Sequence, residues 1–187
     1  MQTLGLHFNF LKVAWKCEKV QKSYFFKVKN AFFAYNNAMK KQEYISLLNE
    51  EINVNSLLAN STAYINDTVE NLNWVGYYLA ENDTLYLHTF QGKVACSIIP
   101  FNKGVCGHAA TTKEVVVVPD VHQFPGHISC DANSKSEIVI PIIVDEKLYG
   151  VLDIDSPIKD RFDAEITDEL TEFAKWIETK IKSLINK

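Results

Sequence analysis

Apolar positions change their spacing along this chain, and each change marks the boundary of an element. From Gln42 to about Leu58, Ile45, Leu48 and Ile52 fall on one helical face, widened by Tyr44 and Leu47. A second helix is predicted from about Ser56 to Leu72, using Leu58, Ala59, Ile65, Val69 and Leu72. The period then drops. Trp74–Leu79 and Leu85–Phe90 read as strands, and the turn composition of Glu81–Thr84 joins them in an antiparallel hairpin. Val94–Ile99 is a third predicted strand, Asn102–Gly104 turns into a short Ala-rich helix around Cys106–Thr111, and Val115–Val118 is a fourth strand. Residues 119–135 are polar and long for a connection inside a compact domain, a length that often carries function. Glu137–Val144 and Lys147–Ile154 close a hairpin about Asp145 and Glu146, where Pro141 implies a bulge or an edge position. The last helix is the clearest: Ile166, Leu170, Phe173, Ile177, Ile181 and Leu184 recur every three or four residues behind Asp163 as N-cap. Glu165 in its first turn and Lys180 and Lys182 near its last suit the helix dipole. Helices, then an antiparallel sheet, then a closing helix predict an α+β fold around one core.

Composition narrows the function. At 187 residues, 47% hydrophobic and 22% charged, the chain can bury a core without metal or disulfide support. A net charge of −4 argues against nucleic acid as a partner, and no apolar run reaches the ~20 residues of a spanning helix. The N-terminal stretch, broken by His7, Asn9 and Lys12, does not resemble a secretory signal, so a cytoplasmic location is expected. Charge is uneven: residues 1–38 hold six lysines against Glu18, whereas the remaining 149 residues hold 13 basic and 22 acidic groups. This basic, aromatic-rich segment is expected to be an atypical extension upstream of a natural start at Met39, with residues 39–187 as a single catalytic domain.

The candidate chemistry lies in the central third. Cys130 follows a Pro125–Gly126 turn among polar residues, as an accessible and reactive thiol would. A thiol-based reductase needs an attacking thiolate and a second thiol to resolve it, and Cys96 or Cys106 are the candidates for the second. His127 and the backbone amides after Gly126 are available to assist ionisation of Cys130, while Asp131 opposes it. Simple burial competes as an explanation for Cys96 and Cys106. Zinc held by these cysteines with His108, His122 or His127 is a weaker reading, because no paired ligand spacing is present, and no metal is expected. Asp153 and Asp155 alternate with Ile154 and so share one strand face, and Glu137 opens the strand directly after the thiol loop. Converging carboxylates repel, so at least one should remain protonated near neutrality. Trp74 and Tyr78 share parity on the first strand and could wall the same pocket, against core packing as the plainer explanation.

The runs NWVGYYL at 73–79, FQGKVAC at 90–96, NKGVCGHAA at 102–110, the 117–142 stretch around PGHISCD, and LYGVLDIDS at 148–156 resemble the free methionine-(R)-sulfoxide reductases, a catalytic branch of the GAF fold. The resemblance spans roughly residues 40–185. It implies a central antiparallel sheet with N- and C-terminal helices packed on one side, often as a homodimer. It implies further that Cys130 attacks the sulfoxide, Cys96 resolves, and Cys106 can join the exchange. Glu137, Asp153 and Asp155 then contact substrate, Trp74 and Tyr78 form an aromatic wall, and the loop containing Ile128 and Ser129 lends amides to the substrate carboxylate. No bound cofactor is implied; thioredoxin or a similar dithiol supplies electrons. The competing reading is a non-catalytic GAF module that senses a small molecule.

Overall fold

Burial on both faces of the two central strands organises the molecule. The computed structural model describes residues 40–126, 128 and 131–186. Six antiparallel strands form one sheet: β1 (Trp74–Glu81), β2 (Thr84–Gly92), β3 (Ile98–Pro100), β4 (Val116–Val118), β5 (Ser136–Val144) and β6 (Lys147–Ser156), in spatial order β3-β2-β1-β6-β5-β4. Helices α1 (residues 40–49), α2 (Val54–Thr68), α3 (Gly104–Thr112) and α4 (Ala164–Ile185) complete the fold. Residues Ile45–Lys187 form one compact unit. The expectation of an upstream extension over 1–38 lies outside the described residues. Among the described residues, no helix is long and apolar enough to cross a membrane.

The sheet has two differently occupied faces. On one, Val75, Tyr77, Ile138, Ile140, Leu152 and Ile154 pack against Leu57, Leu58 and Ile65 of α2 and Leu170, Ala174, Ile177 and Ile181 of α4. The expected N- and C-terminal helices therefore share a side. The opposite face carries Trp74, Tyr78, Val139 and Val151, covered by Val105, Ala109 and Ala110 of α3. That second layer holds the candidate site.

Local chemistry explains most boundaries. Asp163 caps α4 by accepting from the Ile166 N–H at 3.0 Å. Both hairpin turns place two consecutive residues at positive φ, Asn82 with Asp83 and Asp145 with Glu146, the two-residue geometry that matches sheet twist. Pro141 lies where β5 is bordered by β6 alone, since β4 pairs only with Glu137–Val139. A register shift follows between Ile142 and Ile143, and the Ile143 N–H donates to Glu178 of α4 at 2.6 Å.

Three boundaries differ from the sequence reading. The first predicted helix ends at residue 49, not Leu58, because Asn53 caps a new helix by accepting from the Asn55 and Ser56 N–H groups. Ile52, assigned to a buried face, is 85% exposed in the break. The helix that follows stops at Thr68 rather than Leu72. The third strand begins at Ile98, not Val94; the Trp74 indole N–H binds the Lys93 carbonyl at 3.0 Å, and residues 94–97 run outside the ladder. Cys96 therefore lies in irregular chain rather than on a strand.

Ile177 has no solvent exposure at the centre of the α4 face, and Asn53 is a surface cap. Denaturant unfolding should show Ile177→Ala losing ~2–5 kcal/mol and Asn53→Ala only ~1 kcal/mol. Equal losses would mean that α4 is not the principal cover of this face.

Candidate active site

Three strands and one helix bring the acids together. On the α3 side of the sheet, Glu137 of β5 pairs with Asp155 of β6, which pairs in turn with Trp74 of β1. One step along, Val139, Asp153 and Gly76 form the next row. Gly76 is required there: a Cβ would stand 2.5 Å from the Trp74 ring and 2.5 Å from the Phe90 Cβ. The Trp74 ring can thus lie stacked with Phe90 at 5.5 Å and with Tyr78 at 5.9 Å between centroids.

Cys106 enters from the first turn of α3. Gly104 opens that helix at φ +61°, in the left-handed region, with its α-carbon face against Ile128. The Cys106 thiol donates to Glu137 Oε1 at 3.9 Å, and Cys106, Glu137 and Asp153 are all buried. Their sulfur and oxygen atoms lie within 4.8 Å of one another.

Burial dominates the electrostatics. It pushes the Glu137 carboxyl well above the usual range, reinforced by the charges of Asp153 and Asp155. Burial likewise raises Asp155, with Asp153 adding to the effect and a hydrogen bond from Ser134 opposing it. Burial lifts Asp153 to about 6, moderated by hydrogen bonds from Cys106 and Glu137. The Cys106 thiol is also raised by burial and then by Asp153 and Glu137, so it stays protonated at neutral pH. The cluster holds protons that exposed carboxyls would have released.

These groups border a cavity of about 370 Å³, counting its open mouth, lined also by Ile99, Lys103, Gly104, Val105, Ile128, Asp131 and Ser134. Both ends of the long loop are pinned. The Val121 N–H donates to the Lys135 carbonyl, the Lys135 N–H to Ser156, and Asp120 caps a short 3₁₀ turn at Val121–Gln123. Asn73 donates to Asp131 Oδ2 at 3.1 Å and to Ser134 Oγ at 2.9 Å, and Lys93 pairs with Asp131 at 3.4 Å. Asp131 is held below its usual range, first by the Asn133 N–H and then by Asn73 and Lys93. Its predicted opposition to a neighbouring thiolate is therefore partly offset by Lys93.

Of the residues singled out from sequence, Cys106, Glu137, Asp153, Asp155 and Ile128 meet at this cavity. Trp74 and Tyr78 lie on the same sheet face but are 2% and 1% exposed and do not line it among the described residues. Their stack is packed behind the acids, and the charges of Asp153, Cys106, Asp155 and Glu137 add to burial in raising the Tyr78 phenol. Cys96 is half-buried and disulfide-bonded, whereas Cys106 is a free thiol. His127, Ser129 and Cys130 lie outside the described residues. His108 packs edge-on against Phe124 and His122 binds Asp120, so neither histidine joins the cavity. Sequence reading missed Asn73, Lys103 and Ser134, whose only signal was position beside β1, α3 and the polar loop.

Comparison with known proteins agrees with this geometry. The GAF domain family matches residues 54–181. Free methionine-R-sulfoxide reductase of Escherichia coli K12 is 43% identical over 148 residues, covering 75% of this chain and 90% of the relative. The reduced form of Staphylococcus aureus fRMsr superposes with a TM-score of 0.72 at 50% identity, over 77% of this chain and 94% of that one. Free methionine-R-sulfoxide reductase from Neisseria meningitidis, solved in complex with its substrate, gives 0.74 at 38% identity, over 78% and 88%. With its two-faced sheet, buried acid row and thiols in the matching segments, the chain belongs to the GAF domain family and, within it, to the free methionine-R-sulfoxide reductases.

Proposed function

We propose that residues 39–187 form a single catalytic domain that reduces free methionine (R)-sulfoxide to methionine. The observation that carries this reading is that Ile128 and Asp131, on either side of Cys130, line the same cavity as Glu137, Asp153 and Asp155. Relatives named for this reaction support both the substrate and the epimer.

A protonated acid of the cluster, with Glu137 the best placed, donates to the sulfoxide oxygen while the Cys130 thiolate attacks sulfur. Oxygen then passes from the substrate sulfur to the Cys130 sulfur: the transient sulfur–sulfur bond and the substrate S–O bond break as the Cys130 S–O bond forms, so methionine leaves and Cys130 becomes a sulfenic acid. Cys96 condenses with it, releasing water and forming a disulfide. The disulfide-bonded state of Cys96 supports this resolving role, and the free, buried and protonated Cys106 suits a reserve role in exchange. Thioredoxin or a similar dithiol then restores both thiols, as a cytoplasmic enzyme would require.

Selectivity for the free amino acid follows from charge. An ionised member of the acid row faces the substrate ammonium, while amides of the Ile128–Ser129 loop receive the carboxylate. A peptide-bound residue lacks both charges. The Trp74–Tyr78 stack acts as a wall behind the acids, fixing their positions. Resemblance to the family supports a homodimer.

Thioredoxin-coupled assays should show turnover that disappears in Cys130→Ser. Cys96→Ser should complete one reduction and stall; steady turnover in that variant would transfer resolution to Cys106. A sensor module would instead bind free methionine sulfoxide without producing methionine in any variant.

The raised carboxyls set a pH dependence. A carboxyl whose folded value is raised contributes stability that is fully present below its unfolded value of ~4 and is lost as pH rises through the folded value. Asp153 titrates at about 6, with Glu137 and Asp155 also displaced upward. The melting temperature of substrate-free protein should therefore fall as pH rises from about 4 through about 6, with Glu137 and Asp155 extending the fall upward, and Glu137→Gln should flatten it. The same substitution should lower kcat by ~10²–10⁴-fold through loss of the proton donor. An unchanged kcat would remove Glu137 from the acid role.

A further inference from the structure

The cavity contains a donor set that the reductase reaction does not fully explain. Cys106, Glu137 and Asp153 come from α3, β5 and β6, three rigid elements, and are 4%, 6% and 7% exposed. One sulfur and two carboxylate oxygens lie within 4.8 Å of one another, with the Cys106 sulfur 3.9 Å from Glu137 Oε1. Asp153 lines the cavity, and its Oδ1 is sealed from solvent with no fixed donor bonded to it. A buried oxygen in that condition awaits a cationic or donor partner.

We propose that Cys106, Glu137 and Asp153 form a binding site for a thiophilic divalent cation of the zinc class, which occupies the substrate cavity and inhibits the enzyme. Zinc takes thiolate sulfur at ~2.3 Å and carboxylate oxygen at ~2.0–2.2 Å, so tetrahedral ligand atoms stand ~3.3–3.7 Å apart. The three donors reach that spacing through small side-chain adjustments. The fourth position opens on the cavity, where water completes the shell. A sulfur ligand selects against calcium and magnesium, which take oxygen. On binding, the Cys106 thiol releases its proton to solvent and the sulfur bonds to the metal. The α3 N-terminus and Lys103, which line the same cavity, favour the thiolate.

The site also survives oxidation. Cys106 remains free while Cys96 is disulfide-bonded, so the metal can hold the enzyme in either redox state. Only the inhibitory consequence rests on the reductase reading; the binding itself does not.

Cobalt titration of chelator-treated, full-length protein, oxidised to keep the Cys96 disulfide, tests the site. About one equivalent of Co²⁺ should bind with tetrahedral visible bands and a thiolate-to-cobalt charge-transfer band, and Zn²⁺ should displace it. Cys106→Ala should abolish the charge-transfer band, and Glu137→Gln and Asp153→Asn should each weaken binding at least about tenfold. Circular dichroism confirms that each variant is folded, and the two acid variants carry the test if Cys106→Ala is not. In the turnover assay, zinc should raise the apparent KM for methionine sulfoxide without changing kcat. Absence of the charge-transfer band, or its persistence in folded Cys106→Ala, would overturn the site. Binding with these spectra in a protein that shows no turnover would leave the site standing and remove the reductase reading instead.

Discussion

Carboxyl groups held out of water on one sheet face are the constraint on which this protein depends. Glu137 and Asp155 stand opposite each other across neighbouring strands, with Asp153 one row away, and each is raised because its charged form has lost solvent. Such a row is unfavourable for folding unless protons, hydrogen bonds or a cationic ligand compensate it. The chain supplies part of that compensation from Ser134 and Cys106 and leaves the remainder to what enters the cavity. The two roles proposed for the acids, holding an ammonium group and delivering a proton, would both follow from one incomplete compensation.

The rest of the fold keeps that arrangement rigid. The apolar layer beneath α2 and α4 fixes one face of the sheet, while α3 and the aromatic stack of Trp74, Tyr78 and Phe90 pack on the face that carries the acids. The 119–135 loop is anchored to that scaffold at its ends by backbone bonds and beside Asp131 by Asn73 and Lys93. In the proposed reaction, the loop between these anchors supplies the nucleophile and the strands supply the acids.

A single irregularity decides which β6 side chains share a face with Glu137. From the turn at Asp145 and Glu146, β5 and β6 pair Val144 with Lys147 and Ile143 with Leu148. Continued without interruption, that register would set Glu137 opposite Ile154 and turn Asp153 and Asp155 to the α2–α4 side. The extra residue, Tyr149, shifts the register at Ile142, so Glu137 meets Asp155 instead. A similar shift between Gly76 and Tyr78 pairs Phe90 with Gly76 and brings its ring to Trp74. A slip of one residue moves every later side chain to the other face, so these bulges select the members of the site.

Much of this was legible in the residues alone. Period-three-and-four spacing gave α4 and its Asp163 cap, turn chemistry gave both hairpins, and alternation about Ile154 put Asp153 and Asp155 on one face. These signals are local, set by backbone geometry within a few residues, and the family resemblance of the cysteine segments extended them to a chemistry only by comparison of motifs. Tertiary structure decided what depends on partners distant in sequence. It ended α1 before Asn53, drew Lys93 to the Trp74 indole and so removed Cys96 from a strand, and packed Trp74 and Tyr78 behind the cavity rather than in its lining. It also joined Cys106 to Glu137 and Asp153, because a bulge, a sheet register and a helix docking angle belong to the assembled molecule and have no counterpart in local sequence spacing.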